Sequence, residues 1–322
     1  MRQIDHGLLN KAKKNKNDEF YTQLKDIEAE LDNYIHHFKD SVVYCNCDDP
    51  QISNFVKYFL DNFEKLGLKK LIASSYEENG RGKLLKYSGG ENKQTVFLNG
   101  EGDFRGDECR TLLREADIVV TNPPFSLFRD FIDLMNFEQK KFLAIGNINA
   151  ITYRNVFKLI QAEKIWLGVH LGRGISGFIV PKHYELYGTE ARISENGDRI
   201  IAPNNCLWMT NLDYARRHQS IELTQKYEGN EDSYPTYDNL NGININKTKD
   251  IPSDYMGYMG VPITFLHKHN PEQFEIIRFR KGDDGKDLAI NGKCPYFRIV
   301  IRRRSAVDEV PPLVLNGQET LW

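Results

Sequence analysis

The residues Asn122-Pro123-Pro124-Phe125 directly follow an apolar stretch, Asp117 to Thr121 (DIVVT). Their types suit one kind of chemistry: acting on an amine whose lone pair is delocalised into an aromatic ring. An Asn side-chain oxygen accepts one N–H of such an amine, and a backbone carbonyl accepts the other. Two acceptors held in place favour a pyramidal nitrogen with an exposed lone pair, a preorganised stabilisation of the transition state. Consecutive prolines fix φ and remove donors, which holds the Pro123 carbonyl in position. Phe125 offers a flat face on which an extruded base can stack. No metal and no covalent nucleophile is required if a sulfonium cofactor brings its own leaving group. The plain structural alternative is a Pro-Pro loop in which Asn122 caps a helix beginning near Ser126.

Such residues need a rigid frame. Leu24, Ile27, Leu31, Ile35 and Phe38 recur at helical spacing, and Ser41 to Asn46 (SVVYCN) reads as a buried strand stopped by Asp48-Asp49-Pro50. Residues 51–65 are again helical, with Ile52, Phe55, Val56, Phe59 and Phe63 on one side. Further strands are expected within 68–76 and at 95–98, 117–121, 141–146 and 164–169, with a helix over 151–162. Strands alternating with helices predict an α/β fold with a doubly wound, Rossmann-like parallel sheet. In such sheets ligands bind at the carboxyl ends of the strands, where Asn122 stands. After about residue 170 Gly, Asn, Tyr and Asp become frequent. Residues 206–211 read as one more strand of the first domain, 226–262 as irregular, and 274–280 and 296–303 as strands split by a Gly/Asp turn. The expected division is a catalytic domain over 1–220 and a smaller, loop- and strand-rich C-terminal region over 221–322.

The chain has 322 residues, is 40% hydrophobic, with 18 Phe and 16 Tyr, and carries a formal charge of -2, so it can bury a core and is no polycation. A near-neutral balance still permits nucleic-acid binding through a local basic patch. Cysteines fall at 45, 47, 109, 206 and 294, an odd set without framework spacing, which argues for reduced thiols and a cytoplasmic protein. Cys45 and Cys47 are too close and too isolated for a four-ligand zinc site, and no metal is expected. The polar, Lys-rich N-terminus lacks an apolar signal region, and no apolar stretch reaches membrane-spanning length.

The Asn-Pro-Pro-Phe loop resembles the catalytic motif of the amino-methyltransferase superfamily. With Asp18-Glu19-Phe20-Tyr21-Thr22, with Val43 to Pro50 (VYCNCDDP) and with Gly260 to Phe265 (GVPITF), it resembles EcoRI-type adenine-specific DNA methyltransferases. The segment order, cofactor motifs before catalytic motif before target recognition, is the gamma arrangement. The resemblance implies S-adenosylmethionine as cofactor and double-stranded DNA as substrate, with no obligate protein partner evident. It further implies methylation of an adenine, GAATTC as target, and a restriction-modification or phage and orphan setting. It puts Phe20, Tyr21 and Thr22 near the methionine part of the cofactor. Asn46, Cys47, Asp48 and Asp49 replace the usual Gly-rich turn, with Asp48 or Asp49 meeting the ammonium group or capping the next helix. Asp103 would accept from the cofactor adenine and Phe104 would stack on it. An acid for the ribose hydroxyls is also implied after the second strand, where Ser75 and Tyr76 occupy the strand end and Glu77 and Glu78 stand nearby, and that role is left open.

Residues 264–304 hold ten Lys or Arg against five Asp or Glu. Lys268, Arg280 and the run Arg302, Arg303 and Arg304 are therefore candidates for DNA phosphates, along with His267, His269, Arg278 and Lys281. Each, taken singly, also fits a solvated strand face. Arg173 and Arg192 are candidate base readers, and the Lys11–Lys16 cluster a candidate arm on DNA. Protein-glutamine and ribosomal-RNA guanine methyltransferases share the Asn-Pro-Pro-aromatic loop and stand as alternatives. A non-catalytic DNA-binding relic is a second.

Overall fold

The run Val42–Cys45 (β2) is apolar at every position and wholly buried, the signature of a strand covered on both faces. The computed structural model describes residues 21–182, 184–186, 191–202, 205–280, 288–294 and 297–304. Around β2 it builds an eight-stranded sheet from described residues, in the order β5-β4-β3-β2-β6-β7-β12-β8. Its strands are β3 Lys70–Ser74, β4 Lys83–Tyr87, β5 Lys93–Phe97, β6 Ile118–Thr121, β7 Lys141–Asn147, β8 Trp166–Leu171 and β12 Cys206–Thr210. β3, β2, β6 and β7 run parallel. The chain leaves β2 toward β3 on one side and returns to β6 on the other. This reversal makes the carboxyl ends of β2 and β6 a topological switch point, the place where open α/β sheets bind ligands.

The architecture is Rossmann-like α/β, but the sheet is mixed rather than parallel throughout. β4 pairs antiparallel with β3, β5 with β4, and β12 with both β7 and β8. β4 (KLLKY) escapes sequence reading because it is short and bounded by lysines. Gly89 and Gly90 both take positive φ in the turn to β5, so a tight meander leads from β4 into the strand expected at 95–98. β5 is an edge strand, exposed along its length.

The helix expected over 51–65 is interrupted. Asn54–Asp61 (α2) buries Phe55, Val56, Tyr58 and Phe59, and a short turn Phe63–Leu66 follows, ended by Gly67 at φ 62°. Leu24–Leu31 (α1) passes into a 3-10 stretch at Asp32. The helix of 151–162 reduces to Arg154–Gln161. A second, small sheet has the order β1-β9-β11-β10, built from β1 Tyr21–Thr22, β9 Phe178–Val180, β10 Arg192–Ile193 and β11 Arg199–Ile201. Two- and three-residue strands carry too little alternation to be read from sequence.

The described residues divide into two compact units, one within 1–156 and 165–213, the other within 157–164 and 214–322. The second unit thus includes a stretch that sequence reading assigned to the first domain. It carries a four-stranded sheet, β13-β14-β16-β15, with β13 Gly242–Asn244, β14 Tyr258–Val261, β15 Phe274–Arg280 and β16 Arg298–Arg303. Tyr237, Leu240, Tyr258, Leu288 and Val300 pack together within it.

In the first unit a fully buried carboxylate ties α1 to β8. Glu30 accepts from the backbone N–H of Val169 and of His170, both at 2.8 Å, and from the Tyr34 hydroxyl at 3.0 Å. His170 Nδ1 lies 2.7 Å from the same carboxylate. Removing a buried acceptor with several donors aimed at it strands those donors. Glu30→Ala is expected to lower unfolding free energy by about 3–5 kcal/mol, read from urea titrations of both proteins. A loss below about 1 kcal/mol would mean that solvent replaces the carboxylate.

Candidate active site

At the switch point the first unit encloses a pocket of about 490 Å³, within the usual range for cofactor sites of roughly 300–1,000 Å³. β1 contributes Tyr21 and Thr22 to its wall, and the loop after β2 contributes Asn46, Cys47, Asp48 and Asp49. Gly102, Asp103 and Phe104 line another side, and Asn122 and Pro124 a third. Residues far apart in sequence thus converge on one cavity. Pro123 is buried, and Phe125 is half-buried with its ring against Phe178 at 6.0 Å. The helix after this loop, Phe128–Phe137, starts from Leu127 as N-cap, so Asn122 is not its cap. A 3-10 turn at Phe125–Leu127 closes with Leu127 N–H donating to Pro124 O at 2.9 Å. Phe20 lies outside the described residues.

The loop after β2 has no glycine and is held by side chains instead. Asp48, 6% exposed, accepts from Ser53 Oγ at 2.7 Å and from Thr121 Oγ1 at 2.6 Å. It also accepts the backbone N–H of Asn122. The Asp48 backbone N–H donates to Ser74 O at 3.0 Å, and Thr121 Oγ1 accepts from the Cys47 N–H at 3.2 Å. Ser53, and neither Asp, is the N-cap of α2: its Oγ accepts from Phe55 N–H. Asp49 pairs with Lys83 Nζ at 2.7 Å and receives the Gln51 N–H at 2.8 Å.

The Gly102 turn is built for close approach. Gly102 has φ +84°, and a Cβ there would stand 2.1 Å from Ser75 O. Beyond it, Asp103 takes a two-pronged contact from Arg105, with Nε–Oδ1 at 3.0 Å and Nη2–Oδ2 at 2.7 Å, which lowers the carboxyl pKa. Arg105 also reaches Asp130 at 3.1 Å. Phe104 is 4% exposed and meets Phe131 edge-on at 6.1 Å. Sequence reading missed Ser53, Asn54, Tyr76, Arg105, Ser126 and Leu127, which also line the pocket, as do Glu77 and Glu78. Asn54 Nδ2 donates to Thr22 O at 2.8 Å and links α2 to β1.

The pocket suits a polar ligand. Both amide atoms of Asn46 and the hydroxyl of Thr22 are buried without a hydrogen-bond partner among the described residues. Buried polar groups left this way call for a partner from outside the chain. No group of three or more metal-ligating side chains occurs among the described residues, and no described helix is long and apolar enough to cross a membrane.

Several described basic residues of 264–304 are engaged by neighbouring groups of the protein. Arg302 pairs with Glu275 at 2.6 Å and lies over the Tyr258 ring. Arg303 donates to Ser253 O, and Arg304 pairs with Glu163 at 2.8 Å and donates to Pro271 O. His269 is buried, with Nε2 2.9 Å from Phe274 O, and Arg278 is buried. Each of these contacts lies within the second unit. Lys268 is exposed and Arg280 ends β15. Lys281 and the Lys11–Lys16 cluster lie outside the described residues. Arg192 on β10 donates to Ser176 O at 2.9 Å.

A Rossmann-like sheet with a polar pocket at its switch point, and an acceptor Asn on a Pro-Pro turn at that pocket's wall, defines an α/β methyltransferase. A family model described as adenine-specific methyltransferase EcoRI matches residues 8–97 and 86–304. The chain is 62% identical to the type II methyltransferase M.EcoRI of Escherichia coli, over 94% of this chain and 98% of that one. It is 38% identical to the type II methyltransferase M.MpnI of Mycoplasma pneumoniae, over 92% and 98%. To M.MgeORF184P of Mycoplasma genitalium it is 37% identical, over the same shares. No solved structure matches it. The chain belongs to the EcoRI family of adenine-specific methyltransferases, which decides against the glutamine and ribosomal-RNA alternatives.

Burial raises the Asp48 carboxyl from 3.8 to about 6, against the opposing pull of its hydrogen bonds from Ser53, Thr121 and Asn122. Between these values the folded chain holds a proton that the unfolded chain releases. The resulting stability is full below pH 4 and is lost as pH rises through 6. Asp48→Asn removes this titration. The stability difference between wild type and Asp48→Asn is expected to change by on the order of 2 kcal/mol from pH 4 to 7 and then level off. Paired denaturant titrations across that range measure it, and a constant difference refutes the assignment.

Proposed function

We propose that the chain transfers the methyl group of S-adenosylmethionine to the N6 amine of an adenine rotated out of duplex DNA, at GAATTC, in a restriction-modification setting. The observation that carries this reading is the Asn122-Pro123-Pro124-Phe125 turn, with Asn122 and Pro124 on the wall of the switch-point pocket. The similarity to M.EcoRI supports the choice of target.

The chain's own residues divide the work. Asn122 Oδ1 and the Pro123 carbonyl accept the two amine hydrogens and draw the nitrogen toward a pyramidal form. Phe125, braced by Phe178, stacks on the extruded base. Tyr21, Thr22 and Asn46 surround the methionine end of the cofactor, where the Thr22 hydroxyl and Asn46 amide supply the polar atoms the chain leaves unmatched. Asp103, kept ionised by Arg105, accepts from the cofactor adenine, and Phe104 borders the ring. When bound, the cofactor supplies an electrophilic methyl on a sulfonium, so no residue need act as nucleophile. The second unit, with Lys268 exposed on it, contributes to recognition of the duplex.

Asn122→Ala is expected to cut single-turnover methyl transfer by about two to three orders of magnitude while cofactor affinity stays near wild type. Mapping N6-methyladenine in DNA from cells expressing the wild type should find it at GAATTC. An active Asn122→Ala removes the catalytic role, and N6-methyladenine at another site removes the target.

Asp103→Ala is expected to weaken binding of S-adenosylhomocysteine by about ten-fold, as loss of a charge-assisted hydrogen bond would. Phe104→Ala should weaken it too, with an added loss of stability from the Phe131 contact. Calorimetry with thermal melts separates the two effects. Unchanged affinity in both variants moves the adenine site elsewhere.

A further inference from the structure

We propose that Asp48 is a positioning residue for Asn122: its buried carboxylate, anchored to Ser53 and Thr121, holds the Asn122 backbone N–H and so sets the direction in which the Asn122 side chain leaves β6. The inference rests on the methyl-transfer reading above. It departs from the expectation that Asp48 meets the cofactor.

The carboxylate stands at a node. Its Oδ1 is held by Ser53 Oγ at 2.7 Å, and Ser53 is itself fixed to the first turn of α2 through Phe55 N–H at 3.1 Å. Its Oδ2 is held by Thr121 Oγ1 at 2.6 Å, and the same hydroxyl accepts the Cys47 N–H at 3.2 Å. Both oxygens are thus engaged by the protein on a residue only 6% exposed, which leaves little room for a cofactor ammonium.

Local stereochemistry turns this anchor into a direction. Thr121 is β-branched, so its χ1 is stiff and its hydroxyl cannot swing freely. Pro123 disfavours the helical region for Asn122 and biases it toward extended backbone. With its N–H held by Asp48 and its ψ limited by Pro123, Asn122 keeps little freedom, and its Cα–Cβ bond points one way. A tilt at this residue displaces the amide oxygen, and a displacement of about 1 Å in a reacting group can cost on the order of a hundred-fold in rate.

The test uses Thr121→Val, Thr121→Ser, Asp48→Asn and the double variant Asp48→Asn/Thr121→Val, with Asn122→Ala as reference. Thr121→Val keeps the branched shape and removes only the hydroxyl. Expected is a single-turnover rate about ten- to a hundred-fold lower in Thr121→Val and in Asp48→Asn. S-adenosylhomocysteine affinity by calorimetry should stay near wild type. Thr121→Ser should recover most of the rate. The double variant should be little worse than Asp48→Asn alone, because both changes break one network. In the cofactor-free enzyme the Asn122 amide proton, bonded to a carboxylate, should resonate downfield and move upfield in both single variants. Affinity lost with the rate kept at saturating cofactor would make Asp48 a cofactor ligand and overturn the proposal. An additive double variant or an unmoved Asn122 resonance would also overturn it. If Asp48→Asn does not fold, Thr121→Val and Thr121→Ser carry the test. A wild-type rate in Asn122→Ala would remove the catalytic role of Asn122 on which the proposal rests, while the resonance still judges the positioning.

Discussion

The bond from Thr121 Oγ1 to the Asp48 carboxylate, 2.6 Å long and buried, joins the ends of two neighbouring parallel strands. β2 and β6 pair through Val43–Ile118 and Tyr44–Val119, so their carboxyl ends emerge side by side. Beyond the last paired residues the backbone ladder stops, and two loops diverge with nothing in the sheet to relate them. The Asp48 carboxylate relates them. It faces Ser53 at the start of α2, Thr121 at the end of β6 and the N–H of Asn122. A buried carboxylate is costly to ionise; hydrogen bonds from Ser53, Thr121 and Asn122 offset part of that cost, and burial still lifts the Asp48 pKa to about 6.

A glycine-rich turn lets the backbone approach a ligand closely because no side chain intervenes. This chain has Asn46-Cys47-Asp48-Asp49-Pro50 at that place. Gly102, on another side of the pocket, lacks a side chain because of the protein's own packing: its φ is +84° and a Cβ there would stand 2.1 Å from Ser75 O. The β2 loop supplies polar side chains instead. Asp49 faces Lys83 on β4, a strand that the antiparallel meander brings to this edge. The mixed sheet and the glycine-free loop are thus two parts of one solution: β4 brings the cation that the Asp49 side chain needs.

The small sheet plays the corresponding part on the other side of the pocket. β1 lies against β9 through Tyr21–Ile179 and Thr22–Phe178, so the segment that puts Thr22 on the pocket wall also seats Phe178, whose ring braces Phe125. Gln23 adds side-chain bonds to Ser176 Oγ at 2.7 Å and Gly177 O at 2.9 Å, and Asp26 receives the Ser176 N–H at 2.9 Å. The pocket wall and the Phe125 ring therefore share one support.

By itself the sequence determined the Rossmann-like class, the central strands β2, β3, β6 and β7, and the late strand β12, because each is a short apolar run bounded by turn residues. It also marked the Asn-Pro-Pro-Phe tetrapeptide, Asn122 and Pro124 of which line the pocket, since an Asn, two prolines and an aromatic ring stand in four consecutive letters. Only the tertiary structure decided the partners. Asp48 and Thr121 are 73 positions apart, and nothing local to either marks the other. The arginine run at 302–304 shows the same limit: its charge is plain in sequence, but its engagement by Glu275, Ser253, Pro271 and Glu163 is not. Local pattern reports what a segment buries and how it turns. Which buried acid meets which hydroxyl, and which cation is already paired, depends on strand order and register, and these are properties of the assembled sheet.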